Sequence, residues 1–379
     1  VAGRWCRVVA PGARGGGGAA GLCLDGLRRP PRAAPSPYTT LCRSHSEPPH
    51  PIQHGGDPAA LEARLGKPAG GWLDLSTGIN PQPYPMAEMP GEVLARLPRQ
   101  ADMDGLLAAA RAAYGVPDDA AIVAAPGTQA LIQLVPTLFA PGDVTVMGPT
   151  YGEHAPAWTA AGHTVQDVAS ICAQAARPAP YGVLVHPNNP TGRLQAVEGL
   201  LAFADELHDR GGALVVDEAF ADVTPDRSVT PHAGRDGLVV LRSFGKFFGL
   251  AGVRLGFAIC PPALADRLTQ KLGPWAVSGP AIWAGTQALN DAPWQAATRA
   301  RLKASAVRLD ALLEGAGLKV LGGTDLFRLA EGSAAQALYE RLGHQGILTR
   351  AFDYNADWLR FGLPGSEADW ARLETALAL

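Results

Sequence analysis

The sequence has few cysteines, no long apolar run and little excess charge, and each absence excludes a class of protein. Its 5 cysteines form no Cys-x-x-Cys pair and are odd in number. This pattern argues against a disulfide framework and a metal site, and it favours a reducing compartment. No apolar run approaches the ~20 residues that a membrane-spanning helix needs. The net charge of −3 gives no basis for binding nucleic acid or an anionic membrane, so we expect a cytoplasmic protein with neither partner.

The first 49 residues differ in composition from the rest of the chain. They contain four consecutive glycines at positions 15–18, several prolines, and many arginines beside only two acids, Asp25 and Glu47. They show no helical or strand period, so they cannot bury much apolar surface and are predicted to be a disordered leader. Two explanations stay open: an organelle transit peptide, or a start codon placed too far upstream, which would make the leader non-native.

The remaining length and composition predict a globular protein with two domains. A chain of 379 residues is long for one core, and 47% hydrophobic with 18% charged residues is typical of globular proteins. We predict that residues 50–95 are the N-terminal segment of a small domain, that residues 96–279 form a large domain, and that residues 280–379 complete the small α+β domain.

From residue 120 onward, short apolar strands alternate with helical patterns. The strands are predicted at residues 122–123, 144–147, 181–186, 213–216, 238–241 and 254–259. Such a pattern indicates an α/β fold with a mostly parallel sheet covered on both faces, whose ligands bind beyond the carboxyl ends of the strands. A helix is predicted to begin at Tyr151, a helical region to run from Pro280 to about Gly315, and a strand to run from Leu318 to Leu329.

One lysine lies in an apolar turn after a predicted strand. Lys246 has Phe244, Phe247 and Phe248 as neighbours. Burial disfavours the charged form of an amine and lowers its pKa, which suits Schiff-base chemistry with an aldehyde. The alternative is a solvated lysine in a surface turn, which these aromatic neighbours disfavour. Lys246 is therefore the predicted nucleophile.

Several groups near this lysine suit an anion. The turn Gly127-Thr128-Gln129 lies between a strand and a helix, where backbone N–H groups and a hydroxyl favour a negative charge. Ser243 lies three residues before Lys246 and Arg254 eight residues after it, and both are common phosphate partners. The turn alone is a weak signal, because Gly-Thr is also an ordinary helix start.

Three further residues suit an aromatic heterocycle. Asp217 ends an apolar strand and could pair with a protonated ring nitrogen, Asn189 could donate to a phenolate oxygen, and Tyr151 could stack on a ring. The alternatives are a helix cap, an ordinary Asn-Pro-Thr-Gly turn and simple packing. Together with the lysine and the anion-binding groups, these residues supply one partner for each part of pyridoxal phosphate.

The order of these motifs resembles the fold-type-I pyridoxal-phosphate family of class I/II aminotransferases and their decarboxylase relatives. The resemblance covers residues 54–379 and is most specific from Arg242 to Arg254. It implies the family fold, with a mostly parallel seven-stranded sheet in the large domain and a smaller α+β domain, and it implies a homodimer. It also implies that Lys246 and Asp217 are catalytic, that Lys246 binds the cofactor aldehyde and that Asp217 pairs with the ring nitrogen. The other cofactor-binding residues implied are Gly127, Thr128, Gln129, Tyr151, Asn189, Ser243 and Arg254.

The substrate is indicated by two N-terminal segments and two arginines. His54-Gly55-Gly56-Asp57 and the segment 76–81, which contains Asn80, resemble the substrate-side segments of the family's threonine-phosphate decarboxylases. Gly55 and Asn80 are accordingly assigned to substrate binding. The resemblance implies that Arg360 takes a carboxylate, while His54 and Arg350 take a phosphate. The alternative is that both arginines form exposed ion pairs.

Phe220 lies three residues after Asp217, where the family usually has a tyrosine. The change either tunes the chemistry away from transamination or is only a core phenylalanine. The resemblance implies decarboxylation of L-threonine O-3-phosphate to 1-amino-2-propanol phosphate in cobalamin biosynthesis. Two alternatives stay open: an aminotransferase, such as one for histidinol phosphate, and a non-catalytic pyridoxal-phosphate-binding protein.

Overall fold

The computed structural model describes residues 54–378, which belong to one compact unit. The predicted leader, residues 1–49, lies outside the described residues. Within residues 54–378, no helix combines the length and apolar character needed to cross a bilayer. The predicted domain boundaries at residues 95 and 279 stay predictions.

The described residues form twelve α-helices and thirteen strands. The helices are α1 (Ala59–Leu65), α2 (Gly91–Ala95), α3 (Gln100–Tyr114), α4 (Thr128–Leu134), α5 (His154–Ala160), α6 (Ile171–Ala175), α7 (Val197–Asp209), α8 (Pro262–Leu272), α9 (Gly279–Asn290), α10 (Ala292–Gly315), α11 (Ala335–His344) and α12 (Glu367–Ala378). The strands are β1 (Leu73–Asp74), β2 (Ala121–Ala125), β3 (Asp143–Met147), β4 (Thr164–Val168), β5 (Tyr181–Val185), β6 (Ala213–Asp217), β7 (Leu238–Ser243), β8 (Gly256–Cys260), β9 (Lys319–Thr324), β10 (Phe327–Glu331), β11 (Ile347–Leu348), β12 (Arg350–Phe352) and β13 (Asn355–Gly362).

The largest sheet has seven strands in the order β2-β8-β7-β6-β5-β3-β4. All neighbours pair in parallel except β8, which is antiparallel to both β2 and β7. Val215 and Val239 belong to one buried cluster, whereas Val216 and Val240 belong to another. Because successive side chains of a strand point to opposite faces, the sheet has a core on each face. The predicted α/β fold with a mostly parallel seven-stranded sheet is confirmed.

A second sheet has four antiparallel strands in the order β12-β13-β10-β9. Separately, β1 pairs in parallel with β11, with Leu73 opposite Ile347 and Asp74 opposite Leu348. This pairing brings the N-terminal segment of the described chain to its C-terminal part. Residues 75–81, which follow β1, therefore pass close to the four-stranded sheet.

Three predicted elements differ from those observed. The strand predicted from Leu318 to Leu329 is a hairpin of β9 and β10, and the hydroxyl of Thr324 accepts from Leu326 N (3.2 Å) in the turn. The helix predicted to begin at Tyr151 is α5, which begins at His154. The long helical region is two helices, because Asp291 ends α9 and caps α10.

The parallel strands place the predicted residues at one edge of the large sheet. Asp217 ends β6 opposite Val185 of β5 and Leu241 of β7. The turn containing Asn189 follows β5, and the turn containing Lys246 follows β7. The ends of three neighbouring strands therefore bring these side chains together.

Candidate active site

A cavity lies at this edge of the large sheet, and it contains almost all the predicted site residues. Every one except Asn80 and Arg350 lines it. Those lining it are His54, Gly55, Gly127, Thr128, Gln129, Tyr151, Asn189, Asp217, Ser243, Lys246, Arg254 and Arg360. The cavity thus joins residues from the large sheet, the N-terminal segment and the four-stranded sheet.

The amine of Lys246 is half-buried between these elements. Within residues 54–378 it has no hydrogen-bond or ion-pair partner, and its Nζ lies 6.0 Å from the centre of the Phe220 ring. Burial lowers the pKa of Lys246 to about 8, and the positive charges of Arg360 and Arg254 act in the same direction, while Asp217 opposes them. A substantial fraction of this amine is therefore neutral near physiological pH.

Asp217 is held in place by a histidine that the sequence did not indicate. Its carboxylate is buried, with Oδ2 2.9 Å from His154 Nε2 and Oδ1 accepting from Ala219 N at 3.0 Å. A carboxylate accepts only, so Nε2 of the buried His154 carries the hydrogen. The pair fixes the carboxylate at the cavity wall, where it can accept a hydrogen bond from a protonated ring nitrogen.

Arg360 is a buried cation whose protein partners are neutral. It projects from β13, and it donates from Nη1 to Asn189 Oδ1 (2.5 Å) and from Nη2 to Ser76 O (2.5 Å). No carboxylate among the described residues forms an ion pair with it, and burial together with the charge of Arg350 lowers its pKa to about 10. Because the oxygen of Asn189 accepts from Arg360, the amide nitrogen of Asn189 is left to donate into the cavity.

Groups that suit an anion lie close together at the start of α4. The N–H groups in the first turn of a helix have no partner within the helix. Arg254 has φ 56°, a left-handed conformation that non-glycine residues rarely adopt and that clusters at functional sites. A β-carbon at Gly127 would lie 2.6 Å from Arg254 Nη2, so the guanidinium lies directly against the glycine. Ser243 is opposite Gly256 in the β7–β8 pair, next to the same turn.

A second residue that the sequence did not indicate, Glu153, links several lining residues. Its Oε1 is 2.9 Å from His54 Nε2, its Oε2 accepts from Gln129 Nε2 at 3.0 Å, and Gln129 Oε1 accepts from the hydroxyl of Tyr151 at 3.1 Å. The side chain of Gln129 is thus committed to this network, whereas its backbone N–H is free to meet an anion. An acid just before a helix is also an ordinary stabilising feature, so nothing in the sequence distinguishes Glu153 as a site residue.

The two predicted residues outside the cavity have other surroundings. Asn80 is buried, with Nδ2 donating to Phe247 O (2.9 Å) and Oδ1 accepting from Arg301 Nη2 (3.1 Å). Asn80 therefore fixes the backbone of the turn that contains Lys246, which we call the lysine turn. Arg350 lies on β12 directly opposite Arg360 on β13. Substrate binding by Asn80 and Arg350 stays a prediction.

Phe220 presents an aromatic ring to the cavity where a tyrosine would present a hydroxyl. The ring is buried and packs edge-on against Phe327, with 5.0 Å between centres. A β-carbon at Gly78 would lie 2.8 Å from both rings, so the packing is tight on that side. This part of the cavity wall is apolar.

Comparisons with known proteins agree with this geometry. The model of the family described as aminotransferase class I and II matches residues 104–377. The chain is 44% identical over 332 residues to a threonine-phosphate decarboxylase from Pseudomonas aeruginosa, covering 86% of this chain and 97% of the relative. It is 46% identical over 333 residues to one from Sinorhizobium sp, covering 86% and 98%. A solved structure shares the fold: histidinol-phosphate aminotransferase from Sinorhizobium meliloti in complex with pyridoxal-5'-phosphate. Its TM-score is 0.71 at 22% identity, and the match covers 85% of this chain and 93% of that chain. The chain therefore belongs to the aminotransferase class I and II family.

Proposed function

We propose that this chain uses pyridoxal phosphate to decarboxylate L-threonine O-3-phosphate to (R)-1-amino-2-propanol O-2-phosphate, a step of cobalamin biosynthesis. The bond between Cα and the carboxylate breaks, CO₂ leaves, and a proton replaces it at Cα. The similarity to two threonine-phosphate decarboxylases along almost their whole length supports this substrate. The cytoplasmic location and the homodimer stay predictions.

The cavity fits pyridoxal phosphate at both ends. At one end, the first turn of α4 and the guanidinium of Arg254 meet around glycines: a β-carbon at Gly256 would lie 2.5 Å from Thr128 N. A side chain would not fit at these glycines. The backbone N–H groups and the guanidinium are therefore accessible to a phosphate. At the other end, Asp217 offers a fixed carboxylate and Lys246 an amine with no partner among the described residues. An unpaired, half-buried amine facing such a carboxylate is suited to an aldehyde-bearing heterocycle.

When bound, pyridoxal phosphate supplies an electron sink for the electron pair left at the substrate Cα. Asp217, oriented by His154, would hold a proton on the cofactor ring nitrogen and so keep this sink strong. Nζ of Lys246 would hold the cofactor aldehyde, and the same amine would deliver the proton that replaces CO₂ at Cα. Asn189 would donate its amide hydrogen to the ring oxygen, because Arg360 already occupies its carbonyl oxygen.

The surroundings of Arg360 are the structural observation that supports the substrate assignment. A buried guanidinium without a carboxylate partner is costly, and an anionic substrate group would supply the missing charge. Arg360 would hold the substrate carboxylate, and His54 would meet the substrate phosphate from the N-terminal segment. Arg350, opposite Arg360 in the sheet, adds positive charge on the same side. Histidinol phosphate has no carboxylate. A strict requirement for Arg360 in the turnover of threonine phosphate therefore favours the decarboxylase over the aminotransferase.

The test is a measurement of CO₂ release from threonine phosphate in the absence of any keto acid. We expect turnover by the protein with bound cofactor, and we expect Arg360→Met to lower kcat/KM by about 100-fold, because a charge-assisted bond to the carboxylate is lost. Arg64→Met removes an exposed pair with Glu340 and is the matched control, which should retain activity. A requirement for 2-oxoglutarate with production of glutamate would establish an aminotransferase instead.

A further inference from the structure

Glu153 lies just behind the cavity wall and connects parts of the chain that are far apart in sequence. It immediately precedes α5, and its side chain is 17% exposed. One carboxylate oxygen is bonded to His54, 99 residues away, and the other to Gln129. Glu153 itself does not line the cavity, whereas both of its partners do.

The position of the His54 ring depends on this carboxylate. The His54 side chain is 48% exposed, and its other ring neighbour is Tyr151, with 6.0 Å between ring centres. The segment is also held at Gly56, whose N–H donates to Ser76 Oγ at 2.7 Å. That bond ties the backbone at one point but leaves the imidazole free to rotate. Among the described residues, the bond to Glu153 is the one that sets which ring nitrogen faces the protein, and it is a second tie between this segment and the rest of the fold.

The same carboxylate also acts on the aromatic residue of the cavity. Glu153 accepts from the amide of Gln129, which turns the amide oxygen toward the hydroxyl of Tyr151. Burial raises the pKa of Tyr151 to about 12, and the negative charges of Glu153 and Asp217 contribute in the same direction. Tyr151 therefore remains a neutral donor to Gln129, and its ring is held at one angle to the cavity.

We propose that Glu153 is a positioning residue that orients His54 toward the substrate phosphate. The inference rests on the proposed function for the identity of the substrate. A carboxylate only accepts, so Nε2 of His54 carries a hydrogen toward Glu153, and Nδ1 is the ring atom left for the substrate. Nδ1 donates to a phosphate oxygen in the imidazolium form of His54, in which both ring nitrogens carry a hydrogen. Glu153 thereby sets substrate affinity and leaves the bond-breaking step unchanged.

The direction in which Glu153→Gln changes KM distinguishes the positioning role from a direct effect of the Glu153 charge on substrate binding. A carboxylate near an anionic substrate would weaken binding if it acted directly, so its removal would lower KM. Under the positioning role, the variant raises KM for threonine phosphate by about five- to tenfold, with kcat within about twofold, as expected for the loss of one partly exposed charge-assisted bond. An unchanged or lower KM overturns the proposal.

A double-mutant cycle tests whether Glu153 acts through the histidine. His54→Ala should raise KM by at least as much as Glu153→Gln, and the double variant should be no worse than His54→Ala alone. Additive effects overturn the proposal. Glu206→Gln, which removes an exposed pair with Arg210 on α7, is the matched control and should leave both constants unchanged.

Hydrogen exchange gives a readout that does not depend on the substrate. In the purified protein, Glu153→Gln should speed exchange of the Gly56 amide, which donates to Ser76 Oγ, by about fivefold, while exchange in α7 stays as in the wild type. If the wild type released no CO₂ but this acceleration occurred, the proposed function would fail and the positioning of the segment by Glu153 would stand. Unchanged exchange at Gly56 overturns the positioning role whatever the activity.

Discussion

Lys246 shows how strongly the surroundings of one side chain alter its chemistry. Its pKa falls from 10.5 to about 8, first through burial and then through the charges of Arg360 and Arg254. At neutral pH, such an amine is neutral roughly 300 times more often than a free lysine. Only the neutral amine attacks an aldehyde, so a pKa of about 8 suits Lys246 to the role of nucleophile that we predict for it.

The rate at which apoprotein takes up pyridoxal phosphate should therefore depend on pH. We expect the rate to rise with pH up to about 8 and to level off above it, because the protonated amine is unreactive. The measurement is the change in absorbance of the cofactor after mixing, and Lys246→Ala should abolish it. Lys271→Ala, on the exposed face of α8, is the control.

Arg360→Met offers a check on the cause of this pH dependence. Removal of a nearby positive charge should move the midpoint to higher pH, because the protonated form of Lys246 is then less disfavoured. A rate that does not change between pH 7 and 9 in the wild type would contradict a pKa near 8. If the pH midpoint of cofactor uptake is the same in Arg360→Met as in the wild type, burial is the cause of the lowered pKa of Lys246.

The strands and their ends could be predicted from the sequence because their signals are local. Asp217 and Lys246 follow short apolar runs, and the fold places such positions at one edge of a parallel sheet. The contacts of His154 and Glu153 could not be predicted, since each joins residues 63 or 99 positions apart and depends on how α5 packs over the sheet. Asn80 belongs to a segment assigned to substrate binding, yet packing directs its amide to the lysine turn.

A buried ionic cluster joins the elements that carry the side chains proposed to be catalytic. Arg242 of β7 donates to Glu218 (2.9 Å), which follows β6, and to Asp222 (2.8 Å). All three side chains are almost fully buried, and the guanidinium also lies 4.2 Å from the centre of the Tyr114 ring. Because Glu218 is next to Asp217 and Arg242 is next to Ser243, the cluster fixes two ends of the cavity relative to each other.

Removal of Arg242 should be strongly destabilising. Arg242→Met leaves two carboxylates buried without their shared cation, which costs about 3–5 kcal/mol of the free energy of unfolding. Urea denaturation of the apoprotein measures this cost. Arg235→Ala removes an exposed pair with Asp205 and should cost less than about 1 kcal/mol. Equal losses in the two variants would show that the buried cluster adds no more than a surface pair.

The two larger sheets meet at the turn that follows β5. Asn189 of this turn accepts from Arg360 on β13, and Gly192 at its end packs against the backbone of Gly323 on β9. A β-carbon at Gly192 would overlap the carbonyl of Gly323, and a β-carbon at Gly322 would lie 2.5 Å from Thr191 O. Backbone thus packs on backbone, and the same turn that would contact the cofactor also holds the arginine of the neighbouring sheet.

Gly192→Ala should therefore impair both stability and substrate binding. Gly192 has φ 68° and no room for a side chain, so strain and overpacking should together cost about 2–4 kcal/mol. Gly211→Ala is a matched control, because Gly211 has φ 76° but open space around it, and only the strain of about 1 kcal/mol should appear. Because the Asn189–Arg360 bond lies on the same turn, KM for threonine phosphate should rise in Gly192→Ala and stay unchanged in Gly211→Ala. Equal stability and equal KM in the two variants would show that the close contact between the sheets does not position Arg360, the arginine proposed to bind the substrate.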